Sequence, residues 1–234
     1  MPPASYNWTG FYAGVNIGAG LLDDRVSQIG VPPTALPGSI TTVLTGSITV
    51  APLGIVGGAQ VGVNYEFAPW VIGAEASWDA TTLTSSPGVP SLTSSTSSTD
   101  VTTTSGTFER FTSAPLWYAA ITGRVGYAAN DLLFYAKGGG AVLHVGYTQD
   151  VLVLGAVSTT QSIGDNRSGF TVGIGLEYGM TENLTAKFEY DFYDFGSKTY
   201  QFTQTPVAVN SYLNTLTVGL NYRFNWANAV CPTC

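Results

Sequence analysis

Apolar residues alternate with small or polar residues in eight segments of the chain, with a period of two. In the last segment, 215–226, Leu216, Val218 and Leu220 share one side of the alternation and Thr217, Gly219 and Asn221 share the other. A period of two predicts β-strands, whose successive side chains point to opposite faces of a sheet. The predicted strands are about 10–21, 57–67, 70–80, 117–127, 132–147, 169–179, 184–195 and 215–226. The phase of the fifth is obscured by the glycines at 138–140.

Ten charged residues within these segments fall on the polar side of the alternation. They are Glu66, Glu75, Asp79, Arg124, Lys137, Glu177, Lys187, Glu189, Asp191 and Arg223. Because a Lys or Arg facing lipid costs roughly 2–4 kcal/mol at mid-membrane, a face without charges is typical of a face that meets lipid. We therefore expect the apolar side to face lipid and the polar side to line a closed barrel. A closed barrel pairs every backbone group where no water can do so.

The connections between the predicted strands differ in length. Three short turns lie near Pro69, Asn130 and Glu182, whereas four long loops cover about 22–56, 81–114, 148–168 and 196–212. Short periplasmic turns and long extracellular loops are typical of outer-membrane barrels. The sequence thus predicts an all-β, eight-stranded, antiparallel up-and-down transmembrane β-barrel over 1–226, followed by a tail at 227–234.

The interior of an eight-stranded barrel is just wide enough for side chains to fill it. Buried charges must then pair, because an unpaired buried ion is costly. We expect Arg124, Lys137, Lys187 and Arg223 to lie among the interior acids as one network. Such a network would plug the barrel.

Composition excludes several other classes of protein. The net charge of −7 leaves no basic patch for nucleic acid, and only 10% of residues are Asp, Glu, Lys or Arg. No run approaches the 18 apolar residues of a transmembrane helix. Residues 1–4 lack the basic segment and apolar core of an export signal, so we expect a mature or trimmed form. We expect no cofactor, no metal and no catalytic residues.

The motif YNWTGFYAG at 6–14 resembles the start of the alphaproteobacterial outer-membrane β-barrel family, surface antigens often described as porin-family proteins. The resemblance continues at 57–65, 73–75 and 214–216 and covers the strands, about half the chain. It implies an OmpA- or OmpX-like barrel of the Gram-negative cell envelope, located in the outer membrane and in contact with outer-membrane lipid and lipopolysaccharide. The resemblance implies no catalytic residues for this sequence.

The last strand is similar to the terminal signal that the barrel assembly machinery reads in this family. Its elements are a polar residue, a glycine and two alternating aromatics, here Thr217, Gly219, Tyr222 and Phe224. In the family the signal normally ends the chain, whereas here residues 225–234 follow it.

Three minor features leave alternatives open. Cys231 and Cys234 have dithiol spacing, which suits a disulfide, a link to another chain or a redox site, but also a flexible tail. His144, Asp150 and Ser168 are the residue types that a hydrolase with a His, Ser and acid site uses. His144 falls on the lipid side, however, which favours a residue of the membrane interface. The acids at 23–24 suit either a divalent cation or plain solvation.

The sequence therefore leaves three functions. The first is a structural surface protein that anchors extracellular loops, with its interior plugged by the charge network. The second is a narrow porin for small solutes. The third is an adhesin or a self-associating surface subunit, suggested by the Ser/Thr-rich stretch at 81–107 and the terminal cysteines.

Overall fold

The computed structural model describes residues 6–28, 47–84, 88–89, 107–153, 156–201 and 206–224. Eight long strands dominate it: β1 (Gly10–Gln28), β2 (Leu53–Phe67), β3 (Trp70–Thr81), β4 (Thr107–Ala129), β5 (Leu132–Val153), β6 (Ala156–Gly179), β7 (Leu184–Gln201) and β8 (Pro206–Phe224). Two short strands, Ser47–Val50 and Gly88–Val89, flank β1 and β4. Within the described residues, no helix is long and apolar enough to cross a membrane.

The strands close into an antiparallel ring. Each pairs with the next one along the chain, and β1 pairs with β8 from Phe11↔Phe224 to Gln28↔Val207. Closure leaves no free edge where the ring is complete, so the backbone donors and acceptors there are paired. The predicted eight-stranded up-and-down barrel is confirmed.

The side-chain orientation of the barrel is the reverse of that in a water-soluble protein. Leu220 and Val172 are 47% and 50% exposed, whereas Arg124 and Glu177 are 4% and 3% exposed. Apolar side chains cover the outside as an apolar belt, which includes Phe11, Val15, Ile17, Ile72, Ile121, Val125, Phe134, Phe170, Val172, Ile174, Phe188, Leu216, Val218 and Leu220. On β8 the belt spans the alternate positions from Leu216 to Phe224, close to the 9–11 residues that cross a bilayer.

The apolar residues move from the outward to the inward positions of the strands where the belt ends. Beyond it, at the end opposite the turns, the outward positions become polar, for example Ser168 and Asn166 on β6. The inward positions become apolar, as with Leu143, Val145 and Tyr147 on β5. The solvent outside the wall therefore changes from lipid to water along a single strand. This change explains the unclear phase of β5, since its glycines at 138–140 lie just where apolar residues move from one side to the other.

The strands extend further than the sequence predicted. β5 ends at Val153 and β6 begins at Ala156, so most of the predicted loop 148–168 is a β-hairpin. The predicted loops 22–56, 81–114 and 196–212 are likewise shortened by the ends of β1, β4, β7 and β8. The polar outward residues of these extensions are typical of loops, although their inward residues keep the period of two.

The wall divides beyond the belt. Pairing of β6 with β7 ends at Phe170↔Asp194, and pairing of β3 with β4 ends at Ala80↔Trp117. One side is then the first extension, made of 107–116, 141–153 and 156–169 on β4, β5 and β6. The other is the second extension, made of 22–28, 195–201 and 206–213 on β1, β7 and β8. Their apolar inner faces pack against each other over the mouth of the barrel.

Candidate functional site

The interior of the barrel is filled by three successive layers of side chains. The first lies at the turn end, by which we mean the end with the connections Ala68–Pro69, 130–131 and 180–183. The second is a charge layer inside the belt, and the third is an apolar layer between the two extensions. Interior side chains of all three layers are buried.

Aromatic residues of the N-terminal segment close the turn end. Tyr6 and Trp8 are 8% and 1% exposed and pack with Val71, Leu133 and Tyr135. The backbone N–H of Trp8 donates to Glu66 Oε2 at 2.8 Å. The segment 6–9 is therefore held inside the barrel mouth by packing and by a hydrogen bond to an interior acid.

Arg223 belongs to this closed mouth and not to the charge network in which the sequence placed it. Its guanidinium donates to the backbone carbonyls of Thr9 at 3.0 Å and Glu182 at 2.6 Å, and it lies 4.9 Å from the centre of the Tyr6 ring. The reason is its position one residue before the end of β8, where the carbonyls of the turn end are nearer than the acids of the belt. Glu66 also lies at this mouth.

The charge layer is centred on two lysines. Lys137 Nζ lies 3.0 Å from Glu189 Oε1, 3.3 Å from Asp191 Oδ1 and 3.4 Å from Glu75 Oε1. Lys187 Nζ lies 2.6 Å from Glu189 Oε2 and 3.8 Å from Glu75 Oε2. Since each of these side chains is at most 5% exposed, the ion pairs replace hydration that the groups have lost.

Arg124 connects this centre to the turn end. Its Nη1 lies 3.3 Å from Glu177 Oε2 and 3.9 Å from Glu75 Oε2, and its Nε donates to Asn64 Oδ1 at 2.7 Å. The guanidinium also lies between the rings of Tyr12 and Tyr135, at 4.7 and 5.0 Å from their centres. Cation–π contact adds to the ion pairs in holding this charge.

The two tyrosines complete the layer because glycines give them room. Tyr12 donates to Glu75 Oε2 at 2.8 Å and Tyr135 donates to Glu189 Oε1 at 2.7 Å. A Cβ on Gly62 would lie 2.2 Å from the Tyr12 hydroxyl, and one on Gly175 would lie 2.4 Å from Tyr135 Cζ. Glycine at these two positions is therefore a packing requirement of the charge layer.

Eight of the ten sequence-predicted charges face one another in this layer. Glu75, Arg124, Lys137, Glu177, Lys187, Glu189 and Asp191 form it, and Asp79 lines a small cavity beside Lys137, Lys187 and Asp191. Asp79 is 3% exposed, and within the described part of the chain its Oδ1 atom has no hydrogen-bond partner. The cavity has a volume of about 10 Å³, enough for about one water molecule.

The third layer contains two charges that the sequence analysis did not place inside. Arg167 is 2% exposed and donates to the Tyr147 hydroxyl, Ser211 Oγ and the carbonyls of Phe195 and Val209 at 2.7–3.2 Å. Asp24 is fully buried and accepts from Ser113 and Ser211. Both residues fell in predicted loops. The alternation itself could have identified them, since each lies an even number of residues from the inward-facing residues of its strand.

The remaining candidates lie apart from the interior. His144 is stacked on Trp117 at 5.4 Å outside the wall, and its Nδ1 lies 2.6 Å from Asn166 Oδ1, while Asp150 accepts from Thr160. The structure brings neither His144 nor Asp150 into contact with Ser168. Among the described residues, no group of three or more His, Cys, Asp or Glu side chains could hold a metal. Cys231, Cys234 and the tail lie outside the described residues.

The residues of the predicted assembly signal occupy both faces of β8. Thr217 is buried inside, whereas Tyr222 and Phe224 are 52% and 50% exposed and contact each other edge to face at 5.2 Å. Gly219 faces inward, where a Cβ would lie 3.1 Å from Lys187 Cε. The two aromatics thus lie at the turn end of the apolar belt.

The closed ring, the apolar belt and the buried charges define a β-barrel membrane protein. The model of the family described as "Outer membrane protein beta-barrel domain" matches residues 1–224, so the chain belongs to this family of bacterial outer-membrane proteins. A 31 kDa outer-membrane immunogenic protein of Brucella melitensis is 28% identical over 245 residues, covering 95% of this chain and 86% of that protein. A 22 kDa outer membrane protein of Rhizobium leguminosarum is 30% identical over 108 residues, covering 46% and 47%.

Solved structures match the chain at low sequence identity. The outer membrane protease OmpT of Escherichia coli matches with a TM-score of 0.50 and 10% identity, covering 95% of this chain and 99% of that protein. Neisserial surface protein A matches with a TM-score of 0.41 and 11% identity, covering 92% and 98%. The predicted family and the predicted location in the outer membrane are confirmed by the family match and the named relatives.

Proposed function

We propose that this protein is a non-conducting, non-catalytic membrane anchor whose role is to hold two rigid β-sheet extensions at the cell surface. The observation that supports this most strongly is the filling of the interior by three layers. A solute would have to pass the aromatic mouth, the charge layer and the apolar layer in turn. The space in the charge layer admits about one water molecule.

The charge layer is expected to resist opening because its members are mutually dependent. Lys137 is shared by three acids, and Glu75 is shared by three bases. Moving one side chain aside leaves buried partners uncompensated, at a cost of about 3–5 kcal/mol. A narrow porin would need a continuous wetted path through these groups, so it is the alternative that a conductance measurement tests.

The orientation follows from the two ends of the barrel. Short turns face the periplasm in outer-membrane barrels, which places the extensions outside the cell. Aromatic side chains mark both edges of the belt, with Trp70 and Tyr127 at the turn end and Trp78 and Phe170 at the other. In this arrangement the belt contacts outer-membrane lipid, the outer edge contacts lipopolysaccharide, and β8 is presented to the barrel assembly machinery.

Single-channel recording tests the proposal. The purified barrel is reconstituted in a planar bilayer in 1 M salt (roughly a 3 Å screening length), with a general porin as the positive control for insertion and detection. We expect no stepwise current from the barrel when its insertion is verified by co-flotation with the lipid. Steady, uniform current steps would overturn the proposed function and favour the narrow porin.

A further inference from the structure

The charge layer holds more negative than positive charge. Five acids and three bases form it, all of them buried: Glu75, Asp79, Glu177, Glu189 and Asp191, with Arg124, Lys137 and Lys187. Two negative charges are therefore in excess. A buried charge without a partner is costly, because it has lost its hydration and has gained no attraction in return.

The neighbouring layers do not supply the missing positive charge. The turn end contributes Glu66 and Arg223, and the apolar layer contributes Asp24 and Arg167. Among the described residues, each of these layers thus adds one acid and one base to the interior and is neutral by itself. The excess has to be balanced within the charge layer.

The excess charge lies at the small cavity of this layer. Asp79 lines the cavity and has no ion pair in the described part of the chain. Asp191 lines it too, with its Oδ1 atom 3.3 Å from Lys137 Nζ. That ammonium is shared with Glu75 and Glu189. The cavity is thus lined by one carboxylate without a cation and by one whose cation serves two other acids.

Four residues that line this cavity have a side-chain oxygen without a hydrogen-bond partner in the described part of the chain. They come from four strands, and the atoms are Asn16 Oδ1 on β1, Asp79 Oδ1 on β3, Asp191 Oδ1 on β7 and Thr215 Oγ1 on β8. Asp79, Asp191 and Thr215 are at most 3% exposed. Polar atoms buried this deeply normally have a partner, so this convergence points to a ligand.

Glycines on the adjoining strands leave both carboxylates uncovered. Gly58 pairs with Asp79 in the register, and Gly173 pairs with Asp191. A Cβ on Gly58 would lie 2.6 Å from Asp79 Oδ1, and a Cβ on Gly173 would collide with Asp191 Oδ1. Neither position can carry a side chain that donates to the carboxylate, so the partner of these oxygens has to come from elsewhere.

The size of the cavity and the type of its atoms restrict the ligand. A volume of about 10 Å³ admits one particle of about the size of a water molecule. Water has only its two protons to donate and brings no charge, so it neither serves all the oxygens nor balances the excess. Ca²⁺ takes about 6–8 oxygen ligands and Mg²⁺ keeps several waters, for which the cavity has no room.

We propose that this cavity binds a monovalent alkali cation through the oxygens of Asn16, Asp79, Asp191 and Thr215. Carboxylate, amide and hydroxyl oxygens are the hard ligands that such ions prefer. Because β3 and β7 lie on opposite sides of the ring, the ion would link opposite walls across the interior. The inference goes beyond the proposed function, which requires only that the interior is filled.

Urea unfolding and refolding in lipid vesicles test the proposal, with potassium as the probe and tryptophan fluorescence as the signal. The matched salt is choline chloride at the same concentration of about 0.1 M, which screens charges equally. Choline has the same charge but is too large for a cavity of one water molecule. Refolding in each salt makes the ion available while the interior forms. Potassium should raise the urea midpoint by at least about 0.2 M, the shift expected when its concentration equals its Kd.

Two pairs of variants locate the ion. Asp79→Asn should abolish the difference between the two salts, and Thr215→Val should reduce it by at least half. Asp24→Asn and Thr171→Val are the matched controls, because both residues are equally buried but do not line the cavity. The controls should keep the full difference between the salts, whatever they do to the midpoint itself. In choline chloride, Asp79→Asn should unfold within about 0.5 M of wild type, since it has no ion to lose there.

Three results would overturn the inference. Equal midpoints of wild type in the two salts would show that no alkali cation stabilises the barrel. A full difference retained by Asp79→Asn would place the ion elsewhere. Loss of the difference in the controls would show that it reports stability in general. Equal midpoints with a silent bilayer recording would reject this inference alone, whereas current steps from a barrel that potassium stabilises would reject only the proposed function.

Discussion

Replacing Lys137 with methionine tests whether the charge layer holds the barrel together. Lys137 lies within 3.0–3.4 Å of Glu75, Glu189 and Asp191, and all four side chains are nearly fully buried. Methionine keeps most of the volume but removes the charge, so three acids lose a shared partner in a site with almost no water. Breaking one buried pair costs about 3–5 kcal/mol, and we expect Lys137→Met to destabilise the barrel by about that amount.

The measurement is urea unfolding of the barrel in lipid vesicles, followed by fluorescence of its five tryptophans. With a slope of about 2 kcal/mol per M, the midpoint should fall by about 2 M. Asp79→Asn is the matched control, because Asp79 is equally buried in the same cavity but has no ion pair among the described residues. Removing its charge should change stability by less than about 1 kcal/mol.

A double variant separates charge from packing. Lys137→Met with Asp191→Asn removes one cation and one anion, so it should recover part of the stability lost in Lys137→Met. The charge layer does not stabilise the interior if the free energy of unfolding of Lys137→Met lies within about 0.5 kcal/mol of that of wild type. The same conclusion follows if Asp79→Asn lowers the free energy of unfolding as much as Lys137→Met does. The reasoning from ion-pair geometry would then be refuted.

Three further predictions concern other parts of the wall. Arg167→Leu removes the hydrogen bonds from β6 to the carbonyls of Phe195 and Val209. It should destabilise the second extension by about 1.5–3 kcal/mol, seen as faster amide exchange at 195–201, and unchanged exchange there would contradict it. Gly139→Ala should cost about 1–3 kcal/mol, because its Cβ would lie 1.9 Å from the Ile121 carbonyl, while Gly140→Ala has open space and should be nearly neutral in the same unfolding assay. Burial alone would raise the pKa of Asp165, but hydrogen bonds from Lys198 and Tyr200 outweigh it and lower that pKa. The contacts of Asp165 with Lys198 and Tyr200 therefore stabilise the second extension above the ordinary Asp pKa, and this stabilisation is lost as pH falls below about 4. In wild type the free energy of opening at 195–201, measured by amide exchange, should fall below that pH by no more than about 1 kcal/mol. Asp165→Asn should abolish this pH dependence.

The part of the fold inside the membrane could be predicted from the sequence because one physical rule governs it. Lipid on the outside excludes charge, so the buried charges of the strands within the belt, such as Arg124 and Glu177, mark the inward phase. The family match and the relatives confirm the barrel class and the outer membrane. Periodicity alone was sufficient for this part of the chain.

The part beyond the belt could not be predicted in the same way. There the outside is water, so apolar residues such as Leu143 and Val145 turn inward and polar ones turn outward. A rule that assigns the apolar side to lipid therefore no longer recognises the strand there, and it predicts loops where the structure has polar strand extensions. For this reason Asp24 and Arg167, which continue the inward phase of β1 and β6, were not placed in the interior.

The separation of Arg223 from the other bases has a different cause. Periodicity gives the face of a residue but not its height along the barrel axis. Arg223 and Glu66 share the inward face with the charge layer, yet both lie at the turn end, where the segment 6–9 supplies their partners. Which interior charges meet depends on the register between strands, and only the structure provides it.

Collision measurements with a nitroxide label test the central claim most directly, namely that the apolar face of the strands meets lipid only within the belt. Ile174 and Asn166 both point outward from β6, one inside the belt and one beyond it. Labels are placed there by single cysteine substitutions, with Cys231 and Cys234 replaced by serine. We expect the label at 174 to collide with oxygen, which concentrates in lipid, and the label at 166 to collide with a water-soluble nickel complex. Equal access of the nickel complex to both labels would contradict the account.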